Sequence, residues 1–172
     1  MTSSLAFLDI SAFRNLSSVQ IKPIENGFNF IYGNNGSGKT SLLEAIYYLS
    51  LGRSFRSSHL ERVIQFSADK LSIFARLDQP NNDTLSIGLQ RNIEAELKIR
   101  IEGKDVFSIA ELAHLLPVQL LDSQCHHLID AGPAFRRKFV DWGVFYYKND
   151  LDQWLLGQSN LKSTSQARLN QI

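Results

Sequence analysis

A chain of 172 residues can hold one domain with a proper core, or one domain and part of a second. Hydrophobic residues at 44% and charged residues at 20% exclude the disordered and collagen-like classes, and a formal net charge of +1 excludes a chain-wide attraction for polyanions, so any nucleic-acid contact must be local. Cys125 is the single cysteine and closes no internal disulfide, no charge-free apolar stretch is long enough to cross a bilayer, and Asp9 interrupts the apolar run near the start, so a reducing cytoplasm is the expected compartment.

In chain order, residues 5–10 and 19–21 are short apolar or alternating runs. Residues 28–32 combine aromatic and β-branched side chains, which predicts a buried strand, the third before a glycine-rich loop. Leu42, Leu43, Ile46, Tyr47 and Leu49 then recur at helical spacing without glycine or proline, predicting a helix over 41–51 that opens from the loop and stops at Gly52. Three alternating runs follow: Leu71, Ile73, Ala75, Leu77; Leu85, Ile87, Leu89; and Leu97, Ile99, Ile101. They predict an antiparallel meander with turns at 80–83 and 92–94, closed by Gly103-Lys104. Ser108 and Glu111 have capping-box spacing ahead of a short helix that Pro117 stops, and residues 118–121 read as a buried strand. Pro133 opens a stretch that is mostly helical in pattern, broken at Asn149-Asp150. Its second part carries Leu151, Trp154, Leu155, Leu161, Leu169 and Ile172 along one side and reaches the last residue without a stop signal, as a truncated chain would.

The segment Gly33-Asn34-Asn35-Gly36-Ser37-Gly38-Lys39-Thr40 fits G-x-x-x-x-G-K-[ST], with an expected strand before it and helix after. Glycines permit positive φ and let backbone N–H groups converge on phosphate oxygens, and the helix N-terminus adds partial positive charge. Lys39 is expected to neutralise the β and γ phosphates, Thr40 to ligate magnesium, and Ser41 to complete the phosphate-binding set of a nucleoside triphosphate site for ATP. A plain glycine-rich turn is the alternative, but the four fixed positions coincide by chance in on the order of one chain in a hundred of this length. The dinucleotide pattern G-x-G-x-x-G fails at Ser41.

The form G-x-N-G-S-G-K-T resembles the phosphate loop of ABC-type and SMC-type ATPases. Phe13-Arg14-Asn15-Leu16, Leu43-Glu44-Ala45-Ile46-Tyr47, Gly52-Arg53-Ser54-Phe55-Arg56, and the Gly132-Pro133, Arg136-Arg137 and Asp141-Trp142 of a G-P-x-x-R-R-x-F-x-D block narrow the resemblance to the RecF family of bacterial recombination mediators, over its N-terminal half. The resemblance implies an α/β P-loop NTPase of ABC/SMC type, with a mixed sheet plus an antiparallel side sheet. Residues 1–131 would form the ATPase lobe and residues 132–172 the start of a helical lobe. The family's signature motif, Walker B Asp with its catalytic Glu, and D-loop do not occur in this sequence, so no catalytic residue is expected in it. Val118-Gln119-Leu120-Leu121-Asp122 imitates Walker B but is followed by Ser123. In the family this segment matches the Q-loop region, which makes Gln119 a candidate magnesium and water contact, although Ser123-Gln124 stand where Pro-Glu is frequent.

The implied function is an ATP-dependent homodimer of the full-length protein, a slow DNA-dependent ATPase. It would clamp DNA as duplex or at single-strand/double-strand junctions, load recombinase with RecO and RecR, and support replication, repair and the SOS response. By the same resemblance Arg14 contacts phosphate; a solvated surface arginine is the alternative. Arg53 and Arg56 after the loop helix, and Arg136 and Arg137 in a basic run, are candidate DNA phosphate contacts or solvated faces. Cys125-His126-His127 point in different directions on a helix and cannot close one metal site. Trp142, Tyr146, Tyr147 and Trp154 read as packing aromatics. Glu44, one turn after Thr40, either orients the loop helix or occupies an exposed face. Two other readings stay open: a self-contained phosphotransferase or GTPase using Asp122 for magnesium, for which no N-K-x-D motif is found, and a nucleotide-switched assembly module.

Overall fold

The chain opens with a hairpin, β1 (Ser4–Phe13) and β2 (Leu16–Ile21), whose reversal at Arg14 and Asn15 uses a left-handed Arg14 at φ 55. The computed structural model describes residues 3–25, 27–79, 81, 83–121, 133, 136, 137, 139–141 and 143. These fall in two compact units, Met1–Leu120 and Leu121–Ile172. Within the first, β1 continues into a sheet with β3 (Lys70–Asp78), β4 (Thr84–Asn92), β5 (Leu97–Ile101) and β6 (Lys104–Val106), in the order β2-β1-β3-β4-β5-β6 and antiparallel throughout. Of the described residues of the second unit, Leu121 is irregular and those from 133 to 143 are helical.

The register follows from alternation. Ile10 faces Ile73, Ile73 faces Leu89, Leu89 faces Ile99 and Ile99 faces Val106, so one apolar row crosses five strands. A slip of one residue on any strand would turn its share of that row to solvent, which is why the pairing is unique. Against this face lie α1 (Lys39–Leu51), through Ala45, Tyr48 and Leu49, and α2 (Ile109–Leu115), through Leu112. Phe13 and Tyr48 meet edge to face at 5.7 Å, joining the hairpin to α1. Gly52 ends α1 at φ 62, its N–H donating to Tyr48 O at 2.8 Å. A Cβ there would stand 2.8 Å from Ile109 Cδ1, so both conformation and space call for glycine.

The helix at 41–51, the meander and the short helix after Ser108 match expectation, with four differences. Residues 28–32 form no strand: Phe28, Phe30 and Tyr32 are 87%, 84% and 92% exposed, because a strand needs a hydrogen-bonding neighbour and no described strand pairs with them. Residues 118–121 are irregular, with Leu121 exposed. The strand 97–101 does end at the expected turn, but the sheet goes on: Glu102 and Gly103, at φ 50 and 74, make the left-handed pair of a tight hairpin that adds β6. Ser108 does precede α2, but its side chain makes no capping hydrogen bond.

The readings at Asp122 to Gln124, Cys125-His126-His127, Trp142, Tyr146, Tyr147, the break at Asn149-Asp150 and the final helix lie outside the described residues. Among the described residues no helix is long and apolar enough to cross a membrane.

Candidate nucleotide-binding site

The glycine loop delivers the chain into α1. Gly33, Gly36 and Gly38 have φ of 147, 81 and 94, the left-handed region that other residues rarely occupy. At Gly38 a Cβ would sit 2.5 Å from Leu16 Cδ2, so this glycine also lets the β1–β2 reversal press against the loop. Leu42 N–H donates to Gly38 O at 2.8 Å, which starts the helix there, and no acidic side chain in its first turn offsets its positive end. Lys39 Nζ donates to Gly33 O at 2.9 Å and Asn34 O at 2.7 Å. The ammonium group therefore lies over the loop with a third N–H still available. Residues 33–37 and Thr40 are exposed.

Asn15 braces this arrangement. Its Nδ2 donates to Gly36 O at 2.9 Å, and its Oδ1 accepts from Ser41 Oγ at 2.7 Å, tying the hairpin to both ends of the loop. Ser41 is buried, and its hydroxyl serves this brace. The sequence names Asn15 only within the Phe13-Arg14-Asn15-Leu16 match; its bracing role depends on a contact 21 residues away.

Glu44 occupies no exposed face. It is fully buried, and its carboxylate accepts from Arg14 Nη2 at 2.6 Å, from Arg14 Nε at 2.8 Å, and from the Ser54 hydroxyl, with Arg56 Nη1 at 3.5 Å. Arg14 Nη1 also donates to Arg62 O at 2.7 Å. One carboxylate thus holds together the hairpin reversal, α1 and the loop that follows α1. Arg14 uses three N–H groups in these bonds, and a guanidinium has five, so two remain for another acceptor.

Beside the loop is a cavity of about 560 Å³, lined by Gly36, Gly38, Thr40 and Ser41 together with Arg14, Arg56 and the acidic Glu61. A second cavity, about 500 Å³, lies past the end of α1 and is lined by Arg53, Arg56 and Arg91 with Tyr48 and Ser57. Arg91 Nη1 donates to Tyr48 Oη and Gly52 O, each at 3.2 Å, while its Nε is buried without a partner. Burial pushes the Tyr48 phenol up from its ordinary pKa, and the neighbouring Arg91 partly offsets this. Gln119 is exposed in the irregular segment after α2 and lines neither cavity. Arg136 and Arg137 are exposed on the helix of the second unit.

The donor set fits a triphosphate with magnesium: an exposed loop of left-handed glycines, a helix N-terminus, the Lys39 ammonium, and an exposed Thr40 hydroxyl for the metal. Among the described residues no cluster of three His, Cys, Asp or Glu side chains could hold a metal alone, so a cation would share its ligands with phosphate oxygens.

The family model of the RecF/RecN/SMC N-terminal domain matches residues 4–126. The chain is 43% identical over 169 residues to the DNA replication and repair protein RecF of Shewanella frigidimarina, covering 98% of this chain and 46% of that one. To RecF of a Marinomonas species it is 45% identical over 159 residues, covering 92% and 43%. A solved structure of the recombination mediator protein RecF-ATP in the RecFOR pathway is similar with a TM-score of 0.78 at 26% identity, covering 99% of this chain and 46% of the other. A structure from work on ATP-driven dimerization and DNA stimulated activation of SMC ATPases shares the fold, with a TM-score of 0.67 at 19% identity over 81% of this chain and 98% of that one. The chain spans about half the length of the curated relatives it matches.

Proposed function

The chain belongs to the RecF/RecN/SMC N-terminal domain family, with an ABC-type ATPase head fold, and from that premise we propose that it is the ATP-binding part of a RecF-like recombination mediator. The carrying observation is the Lys39 ammonium fixed across a loop of left-handed glycines at the N-terminus of α1. With magnesium ATP bound, Lys39, which now donates to the Gly33 and Asn34 carbonyls, would hold the β and γ phosphate oxygens. The amides of Asn34, Asn35, Gly36, Ser37, Gly38 and Lys39 would serve the same oxygens, the Thr40 hydroxyl would supply a magnesium ligand, and Arg14 would offer its two remaining N–H groups to phosphate; Gln119, which lines neither cavity, would reach the metal only after the segment following α2 moves toward the loop.

In the full-length protein, two such heads close on ATP as a homodimer and hold DNA at gaps, acting with RecR and RecO in replication, recombination, repair and the SOS response. Support for DNA contact comes from the basic cavity past α1, where Arg53 and Arg56 converge with Arg91, and from Arg136 and Arg137 on their exposed helix. Residues 1–131 serve as the ATPase lobe and 132–172 as the beginning of the helical lobe.

Titration calorimetry of the chain with magnesium ATP tests the reading. Lys39→Ala is expected to weaken binding about 10- to 100-fold, the worth of one or two charge-assisted hydrogen bonds. No steady turnover is expected from the chain itself. Equal affinity in the variant, or sustained ATP hydrolysis that Lys39→Ala abolishes, would contradict the assignment.

A further inference from the structure

We infer that Phe66 is the platform on which the base of the bound nucleotide stacks, an inference that rests on the phosphate-loop reading and extends it. Phe66 is 96% exposed, yet its backbone is firmly held. Just before it, Val63 and Ile64 are buried, and Ile64 pairs with Phe13 in an isolated β-bridge. Gln65 N–H donates to Ala12 O at 2.9 Å, and Gln65 Nε2 to Ser17 Oγ at 2.8 Å. Ala68 N–H donates to Gln65 O at 3.0 Å, closing a turn in which Ser67 takes a left-handed φ of 70. A strained, anchored turn therefore presents a phenyl ring to water, and among the described residues no aromatic ring packs on it. Exposure by itself does not mark the ring, since Phe28, Phe30, Tyr32 and Phe107 are also exposed; its anchored turn and its place beside the phosphate loop do.

Of these exposed rings, only that of Phe66 lines the phosphate-loop cavity. Phe66 and Ile64 line the same cavity of about 560 Å³ as Gly36, Gly38, Thr40 and Arg14. Cavities of that size suit a whole nucleotide rather than a phosphate chain alone. Its loop residues and three arginines, set against the single carboxylate of Glu61, suit the phosphates, and Ile64 and Phe66 offer apolar surface to a flat aromatic base. Stacking on a ring tolerates any base, so Phe66 contributes affinity for the nucleoside end and leaves the choice among bases to other groups.

The experiment compares magnesium ATP with magnesium tripolyphosphate on the full chain, as wild type, Phe66→Ala and Phe66→Trp. Phe66→Ala is expected to weaken ATP about tenfold and leave tripolyphosphate within about twofold. In Phe66→Trp, ATP is expected to quench fluorescence beyond the wild-type background of Trp142 and Trp154, and tripolyphosphate is not. Unchanged ATP affinity in Phe66→Ala, or an equal loss for both ligands, would overturn the platform. Wild type binding both ligands equally would overturn it while sparing the phosphate loop; wild type binding neither would overturn the phosphate loop and the platform with it.

Discussion

β3 and residues 28–32 carry the same kind of apolar, strand-favouring sequence and meet opposite environments. β3 lies between β1 and β4, and its Leu71, Ile73, Ala75 and Leu77 are completely buried. In the other segment Phe28 and Phe30 stand exposed, their rings 6.3 Å apart, beside an apolar cavity of about 720 Å³ that Leu42, Leu43 and Ile46 of α1 also line. The difference teaches that β-propensity records a fit to a pleated, half-buried surface. Sequence shows that a segment suits such a surface; neighbouring strands decide whether one exists.

The comparison can be broken by substitution. The largest expected effect is at Glu44, whose partners all lie within the first unit. Glu44→Ala should cost about 3 kcal/mol or more in urea unfolding, because it removes a fully buried carboxylate and leaves the partly buried Arg14 without its counter-charge. Next come Ile73→Ala, expected to cost about 2–5 kcal/mol, and Phe30→Ala, expected within about 0.5 kcal/mol of wild type. Equal losses for those two would show that residues 28–32 are packed and remove the contrast. Gly52→Ala should cost about 1–2 kcal/mol by forcing a left-handed alanine against Ile109. The smallest effect is alkaline. With the folded-state pKa of Tyr48 raised above its ordinary 10.0, its contribution is complete below pH 10.0 and falls as pH rises toward the folded value. Thermal melts should show that loss in wild type and a flatter profile in Tyr48→Phe.

Much of this architecture is legible in the sequence. The alternation in 71–77, 85–89 and 97–101 sets the meander, helical spacing and Gly52 set α1, and the G-x-x-x-x-G-K-T string sets the loop. What is not legible depends on distant partners. Asn15 and Glu44 gain their roles from contacts 21 and 30 residues away, and no local period marks them. β6 is three residues with Lys104 and Asp105, too short and polar for alternation to register, and only its Glu102-Gly103 turn could have signalled it. Phe66 carries no motif at all; its exposure and its cavity are properties of the folded chain.

Amide hydrogen exchange across residues 33–41, with and without saturating magnesium ATP, tests the central claim most directly. Protection of those amides by magnesium ATP in wild type and its loss in Lys39→Ala is the expected result. Exchange there that stays unchanged while nucleotide binds would contradict the phosphate-loop site.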